Sequence, residues 1–411
     1  MKILCLSNLY PPCIVGGYEK LCSDVMDKLS CDKKNQITVL TSTYQKNKFE
    51  SDNSNDRIKI YRKLTLLADD ENIYEPIDLT LHERTIVDRN NTKILSDTII
   101  HEKPDLIFVW NLFFLNRCIL DELKKYNIRT VFFITDNWLI SFLNPQFIEE
   151  YFSKLNQGLD LKFEFLTKLK GLFSAKKIEL SGEAIFSSKF MKRLYYSAGI
   201  RFKKNKIIYN GVKIEKLINT AKKPDREFDP TKVKLLFAGR VVDIKGVHTV
   251  INSLANLNQQ SQNKYHLTIL GDTQDNVYLQ KIRKQISDNN LSSLVSFEPP
   301  VKEIELFNKF NQYDIYIFPS LYEPFSLTLI YALASGVPVI SSDAGGNPEL
   351  IKHKINGLIF NKFCPSDLSK MIVHLSKNNK LRNNIVKNRL NNIQNFYFDR
   401  MCFNISKFLN K

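Results

Sequence analysis

Short runs of Val, Ile, Leu and Phe, apolar on both faces, recur at 3–7, 37–41, 106–110, 131–135 and 184–188, and again at 233–238, 267–271, 294–297, 315–319, 337–341 and 357–360. Longer amphipathic stretches separate them. A strand that is apolar on both faces must be covered on both sides, which is the condition of a parallel sheet flanked by helices. Strand alternating with helix predicts a doubly wound α/β architecture. The pattern restarts part-way. Residues 206–212, KIIYNGV, end a strand at an Asn-Gly turn signal, and 222–232, KKPDREFDPTK, is polar, carries two prolines and has no period. VKLLFAGR then opens a fresh first strand. This predicts two Rossmann-like domains facing a cleft, over residues 1–209 and 210–390, with a hinge around 210–230 and a C-terminal helix at about 391–411 that packs back onto the first domain. A length of 411 residues fits two domains of ordinary size.

Composition narrows the setting. The seven cysteines (5, 13, 22, 31, 118, 364, 402) form no C-x-x-C pair, which fits a reducing, cytoplasmic location. The start, MKILCLSNLYPP, reads as a first strand and not as a signal peptide. No apolar run approaches the roughly 18 residues that suggest a membrane span. The net charge is +16, and it is uneven: from Lys162 to Lys206 there are twelve Lys and Arg against three acids. Such a field attracts phosphates, nucleic acid or anionic lipid; the plainer alternative is a solvated basic face. Within it, Leu159, Phe163, Leu166, Leu169 and Phe173 recur at helical spacing while Lys162, Lys168 and Lys170 fall elsewhere on the wheel. That is the pattern of a basic amphipathic helix, which either packs on its own domain or lies on an anionic membrane surface; the expected region is 159–206. The charged region contains no recognised nucleic-acid-reading motif, so no nucleic-acid partner is expected.

Three motifs carry chemistry. In LLFAGRVVDIKGVHTVI (235–251) a strand ends at Gly239, a loop carries Arg240 and Lys245, and Gly246 precedes a helix. Ligands of open α/β sheets bind beyond the carboxyl ends of strands. A guanidinium grips phosphate bidentately and an ammonium acts as a point charge, so the pair suits a diphosphate. In YIFPSLYEPFSLTLIYALASGVPVISSDAGGNPELI (316–351), a helix at 326–334 follows a strand and closes at Gly336. Glu323 lies just before that helix, where free N–H groups favour an anion. Its carboxylate can accept from sugar hydroxyls, or simply answer the helix dipole. Near the start, SNLYPPCIVGGYEKL (7–21) places Gly16 and Gly17 in a turn before a helix, permitting close approach of backbone to a ligand. No metal-ligand spacing is present.

Together these motifs resemble the retaining nucleotide-sugar glycosyltransferases of group 1, or family 4, of GT-B architecture. The resemblance is densest from 233 to 360, through GRVVDIKG, PSLYEPFSL, GVPVISSDAGGNPELI and NGLIF. It implies that Arg240 and Lys245, after Gly239, contact the donor diphosphate, and that Gly16 and Gly17 close over the donor. It implies that Glu323, the first acid of a Glu-x7-Glu motif, lies beside the donor sugar. Pro324 continues that turn, and the backbone amides of Phe325, Ser326 and Leu327 meet sugar and phosphate. Asn210 and Gly211 match the start of the second domain. The donor implied is a nucleotide-diphosphate sugar, UDP- or GDP-linked, with no separate cofactor; the acceptor is a sugar, polysaccharide or lipid-linked sugar.

Three departures qualify the resemblance. Tyr331 stands where the second acid, which holds ribose hydroxyls, is expected; a phenol can bond one hydroxyl but supplies no carboxylate. Ser326 stands at a turn glycine. TVFFITDNW has Thr135 at the place of a His, leaving Asp136 to orient the acceptor, bind a sugar hydroxyl or cap a turn. The expected activity is therefore transfer of a sugar with retention in polysaccharide, lipopolysaccharide or glycolipid assembly. The competing expectation is a catalytically weakened relative that binds sugar nucleotide or a partner glycosyltransferase.

Overall fold

The computed structural model describes all residues except 46–56, 70–72, 74–76, 160–176, 221–227, 259–263 and 392. Residues 160–176, the bulk of the amphipathic stretch with Phe163, Leu166, Leu169 and Phe173, and part of the expected hinge thus lie outside the described residues. The chain divides into two compact units, Met1–Ile208 with Cys402–Lys411, and Tyr209–Met401.

The first unit holds β1 (Lys2–Ser7), β2 (Gln36–Ser42), β3 (Ile58–Leu64), β4 (Leu106–Asn111), β5 (Arg129–Ile134), β6 (Ile178–Phe186) and β7 (Ile200–Ile207) in the order β3-β2-β1-β4-β5-β6-β7. The second holds β8 (Val233–Ala238), β9 (Tyr265–Leu270), β10 (Val295–Glu298), β11 (Ile315–Phe318), β12 (Val339–Ser342) and β13 (Leu358–Phe360) in the order β10-β9-β8-β11-β12-β13. Neighbouring strands in both sheets run parallel. Each order reverses once, between β1 and β4 and between β8 and β11, where successive loops part to opposite faces and open a crevice.

The two-faced apolar pattern has a direct physical expression. Successive side chains of a strand point to opposite faces. Val233, Leu235 and Phe237 of β8 enter one apolar core with Ile315 and Ile317 of β11, while Leu236 and Ala238 enter another with Tyr316 and Phe318. β3 and most of β7 are not apolar on both faces. Both are edge strands, and IRFKKNKI exposes Lys203 and Lys204, the kind of charge that blunts an unpaired edge. Residues 206–212 are not one strand ending in a tight turn. β7 stops at Ile207, and Gly211 lies against the backbone of Tyr397, where a Cβ would meet the Tyr397 carbonyl. The last helix is Phe398–Leu409, preceded by a 3-10 turn at Ile393–Phe396. Arg129 fastens its end by donating to the carbonyls of Phe408 and Leu409 while holding Glu183 through two bonds of 3.0 Å.

Candidate functional site

The two loops that flank the reversal in the second sheet meet. After β8, Gly239 and the exposed Arg240 lead into a 3-10 turn at Asp243–Lys245, closed by the Gly246 N–H donating to the Asp243 carbonyl at 3.0 Å. The Leu321 N–H, from the loop after β11, donates to the Ile244 carbonyl at 2.8 Å. Lys245 Nζ reaches Glu323 Oε2 at 2.7 Å, with the carboxylate buried and the ammonium about a fifth exposed (21%). Nζ also lies 5.8 Å from the centre of the Phe318 ring. Gly246 has φ +71 and packs against the Pro319 carbonyl. Gly345, at φ +53, packs against the backbone of Glu323, whose carbonyl accepts from Gly346 N–H at 2.8 Å. Both glycines let backbone stand where a Cβ would not fit.

The turn that follows Glu323 ends in the helix Leu327–Ser335, one residue later than the sequence pattern indicates, because Ser326 is its N-cap. Ser326 Oγ accepts the Leu329 N–H at 3.1 Å. The departure from glycine thus occupies one first-turn donor, whereas the amides of Leu327 and Thr328 have no acceptor within the helix by its geometry. Pro324 is half-buried, and Phe325 is buried against Tyr209 (ring centres 5.2 Å, nearly parallel) and Phe396 (5.8 Å). Tyr331 is buried in the core, and its hydroxyl donates to Glu303 Oε2 at 3.2 Å. The phenol thus bonds a carboxylate of the helix Glu303–Phe310, which packs beside it.

The remaining candidates lie in the first unit. Gly16 caps the helix Gly17–Ser30, and its N–H donates to Glu19 Oε2 at 2.9 Å. A Cβ at Gly16 would meet nothing closer than that carboxylate oxygen, at 3.9 Å, so packing does not demand glycine there. Asp136 follows β5. Its Oδ1 accepts the Trp138 N–H at 3.0 Å and its Oδ2 accepts from Asn111 Nδ2 at 3.2 Å. Burial pushes the carboxyl up to about 7; the Trp138 N–H opposes this, Glu19 adds to it and Asn111 opposes it. An acid whose pKa rises on folding binds an extra proton between its two values, so stability falls as pH rises from 3.8 to about 7. Asp136→Asn removes that contribution. Thermal unfolding of both proteins from about pH 4.5 to 7.5 checks this, and an unchanged slope in the variant refutes it.

Sequence reasoning passed over Glu19, Asn111 and Glu303. Glu19 was open to detection: it stands three residues after Gly16, at capping-box spacing. Asn111 and Glu303 carry no such local signal, since strand pairing and helix packing alone bring them to Asp136 and Tyr331. Among the described residues no helix is long and apolar enough to cross a membrane.

Comparison with known proteins agrees with this architecture. Residues 219–391 match the family described as glycosyl transferases group 1. A D-inositol 3-phosphate glycosyltransferase of Pseudarthrobacter chlorophenolicus is 34% identical over 141 residues, 34% of this chain and 33% of that protein, so the chain spans about a third of the length of this curated relative. Among solved structures, a sucrose-phosphate synthase of Thermosynechococcus elongatus superposes with a TM-score of 0.73 at 15% identity, covering 100% of this chain and 98% of the other. The Anabaena protein HepE in complex with UDP-glucose does so at 0.67 and 20% identity, covering 100% and 99%. At these identities the superpositions speak for the fold, two parallel-sheet domains of the GT-B kind. The match to the group 1 glycosyl transferases is carried by residues 219–391, which contain the Lys245–Glu323 pair.

Proposed function

We propose that the chain is a retaining hexosyltransferase. It moves a sugar from a UDP- or GDP-linked donor to a sugar, polysaccharide or lipid-linked acceptor in polysaccharide, lipopolysaccharide or glycolipid assembly. The observation that carries this reading is the Lys245–Glu323 contact of 2.7 Å between the two loops at the strand-order reversal, beside the first turn of the helix Leu327–Ser335. In the reaction the bond from the anomeric carbon to the diphosphate oxygen breaks, and its electron pair leaves with the diphosphate. Arg240, Lys245 and the amides after Ser326 stabilise that charge. Glu323 orients the sugar, a contribution of geometry more than of acidity. The acceptor oxygen bonds to the same face, and its proton passes to the departing diphosphate. UDP bound to HepE in its solved complex favours UDP among the bases. A panel of UDP- and GDP-sugars in thermal unfolding tests the reading: the cognate donor raises Tm with concentration and is then turned over. No shift with any donor overturns it.

Ser326 as a cap and Tyr331 held by Glu303 favour a second reading, a weakened relative that binds sugar nucleotide or a partner glycosyltransferase. Such a protein shifts in Tm with donor and shows no turnover. We also propose a cytoplasmic location, peripheral at an anionic membrane through 159–206, on the strength of the charge there. Sedimentation with phosphatidylserine liposomes checks this. Binding falls as salt rises, because surface charge is screened over about 10 Å at 0.1 M; salt-insensitive binding, or none, removes the idea.

A further inference from the structure

The loops that carry Lys245 and Glu323 lie beyond the carboxyl ends of β8 and β11. At the opposite end of the same sheet a cavity of about 770 Å³ opens against Asp314, just before β11, and Pro338, just before β12. It lies wholly in the second unit, and its size falls in the range of small-molecule sites, roughly 300–1,000 Å³. Three cations line it, Arg382, Lys387 and Arg389, against the one acid Asp314. Asp314 is buried, and its Oδ2 accepts the Lys234 N–H at 2.7 Å. Arg382 is 8% exposed, lies 3.6 Å from the centre of the Phe228 ring, and donates to the carbonyls of Leu375 and Ser376 and to Asn379 Oδ1. Its donors are thus engaged, and what it lends the cavity is charge. Arg389 and Lys387 differ. Arg389 donates from Nη1 to the Val386 carbonyl at 2.7 Å, and its Nε is buried without a partner. Neither Arg389 nor Lys387 forms an ion pair among the described residues. Burial lowers the pKa of both arginines, and Asp314 opposes this for Arg382 alone. Arg389 stands over Gly336, where a Cβ would come 3.0 Å from Nε, so it also answers the dipole at the end of the helix Leu327–Ser335. That role explains Arg389 and leaves the gathering of three cations on one cavity unexplained.

We propose that this cavity binds a small phosphate monoester, held by Arg389 and Lys387 in the field of Arg382, at a site separate from the one that holds Lys245 and Glu323. Charge selects that chemistry. Three cations against one acid leave an excess of two, and a phosphate monoester carries about −1.5 to −2 at neutral pH. A guanidinium presents a fork that fits phosphate oxygens, and an ammonium adds a point charge. The space exceeds that of a bare ion, so the phosphate has a body. Phe310, Val337 and Pro338 give that body an apolar wall, and the amides of Asn311 and Asn383 offer partners to a hydroxyl. The inference does not rest on the transfer reading above.

The full chain is titrated calorimetrically with inorganic phosphate, glycerol 3-phosphate and glucose 6-phosphate, with and without excess UDP. Salt is held at about 0.15 M so that loose surface attraction is screened. At least one ester is expected to bind with Kd below about 1 mM, more tightly than inorganic phosphate, and equally well in the presence of UDP. Arg389→Gln weakens that binding about tenfold through loss of a charged donor. Lys387→Glu weakens it at least as much by placing a like charge at the rim, and because Lys387 is exposed this variant decides the matter even where Arg389→Gln loses stability. Arg240→Ala, in the loop after β8, leaves the affinity unchanged. Failure of both esters to bind, displacement of the bound ester by UDP, or an unaltered Kd in Lys387→Glu overturns the proposal.

Discussion

Lys245→Ala is expected to lower sugar transfer by about 10²–10³-fold, the typical effect of deleting one preorganised donor from a site where charge develops. The site is built for such sensitivity. Lys245 sits at the end of a 3-10 turn that is pinned to the opposite loop by the Leu321–Ile244 bond, so its ammonium does not search for its position. The same substitution strands the buried Glu323 carboxylate. Removing one partner of a fully buried pair costs about 3–5 kcal/mol, and the partial exposure of Lys245 reduces that substantially. Activity and stability therefore separate in a defined way. Lys245→Met with Glu323→Gln removes both charges and recovers most of the lost Tm, while transfer stays low. Arg240→Ala, at an exposed position of the same loop, lowers transfer with little change in Tm. Initial rates and thermal unfolding of the four proteins decide the matter. Turnover near wild type in both Lys245→Ala and Arg240→Ala discards the diphosphate clamp.

The residues that carry this argument differ in how far the chain itself advertises them. Runs such as LLFA and IYIF are apolar on both faces because both faces are covered, and that property is local, so the central strands are legible without coordinates. β3 and β7 are not, because an edge strand is paired on one side only and tolerates IKIYRKL or IRFKKNKI. Gly239, Arg240, Lys245 and Glu323 are legible because each sits just past an evident strand. What Ser326 and Tyr331 do is not. Ser326 as an N-cap follows from local chemistry, but the Tyr331–Glu303 bond joins residues 28 apart on two packed helices. Likewise Asp136 is visible as an acid after a strand, whereas the burial that raises its pKa, and the smaller influences of Glu19 and Asn111, come from other elements.

Gly246→Ala is expected to be strongly destabilising. The residue holds φ +71, which costs an L-residue about 1–2 kcal/mol. A new Cβ would in addition run into the carbonyl of Pro319, a backbone atom at the end of β11 that cannot turn aside as a side chain can. The two effects together exceed about 2 kcal/mol, which in a unit of this size lowers Tm by roughly 4 °C or more. Relief comes only by moving the 243–246 turn away from the 319–323 loop, and that movement carries Lys245 from Glu323. Transfer therefore falls even well below the new Tm, through kcat more than through donor KM, because aim is lost more than charge. Gly16→Ala supplies the contrast. Its Cβ meets nothing closer than 3.9 Å, so the stability change stays within about 1 kcal/mol, and any loss of transfer there reports a ligand brought close to the backbone. A Gly246→Ala protein with unchanged Tm and rate would mean that the turn yields freely, and a turn that yields cannot be what aims Lys245.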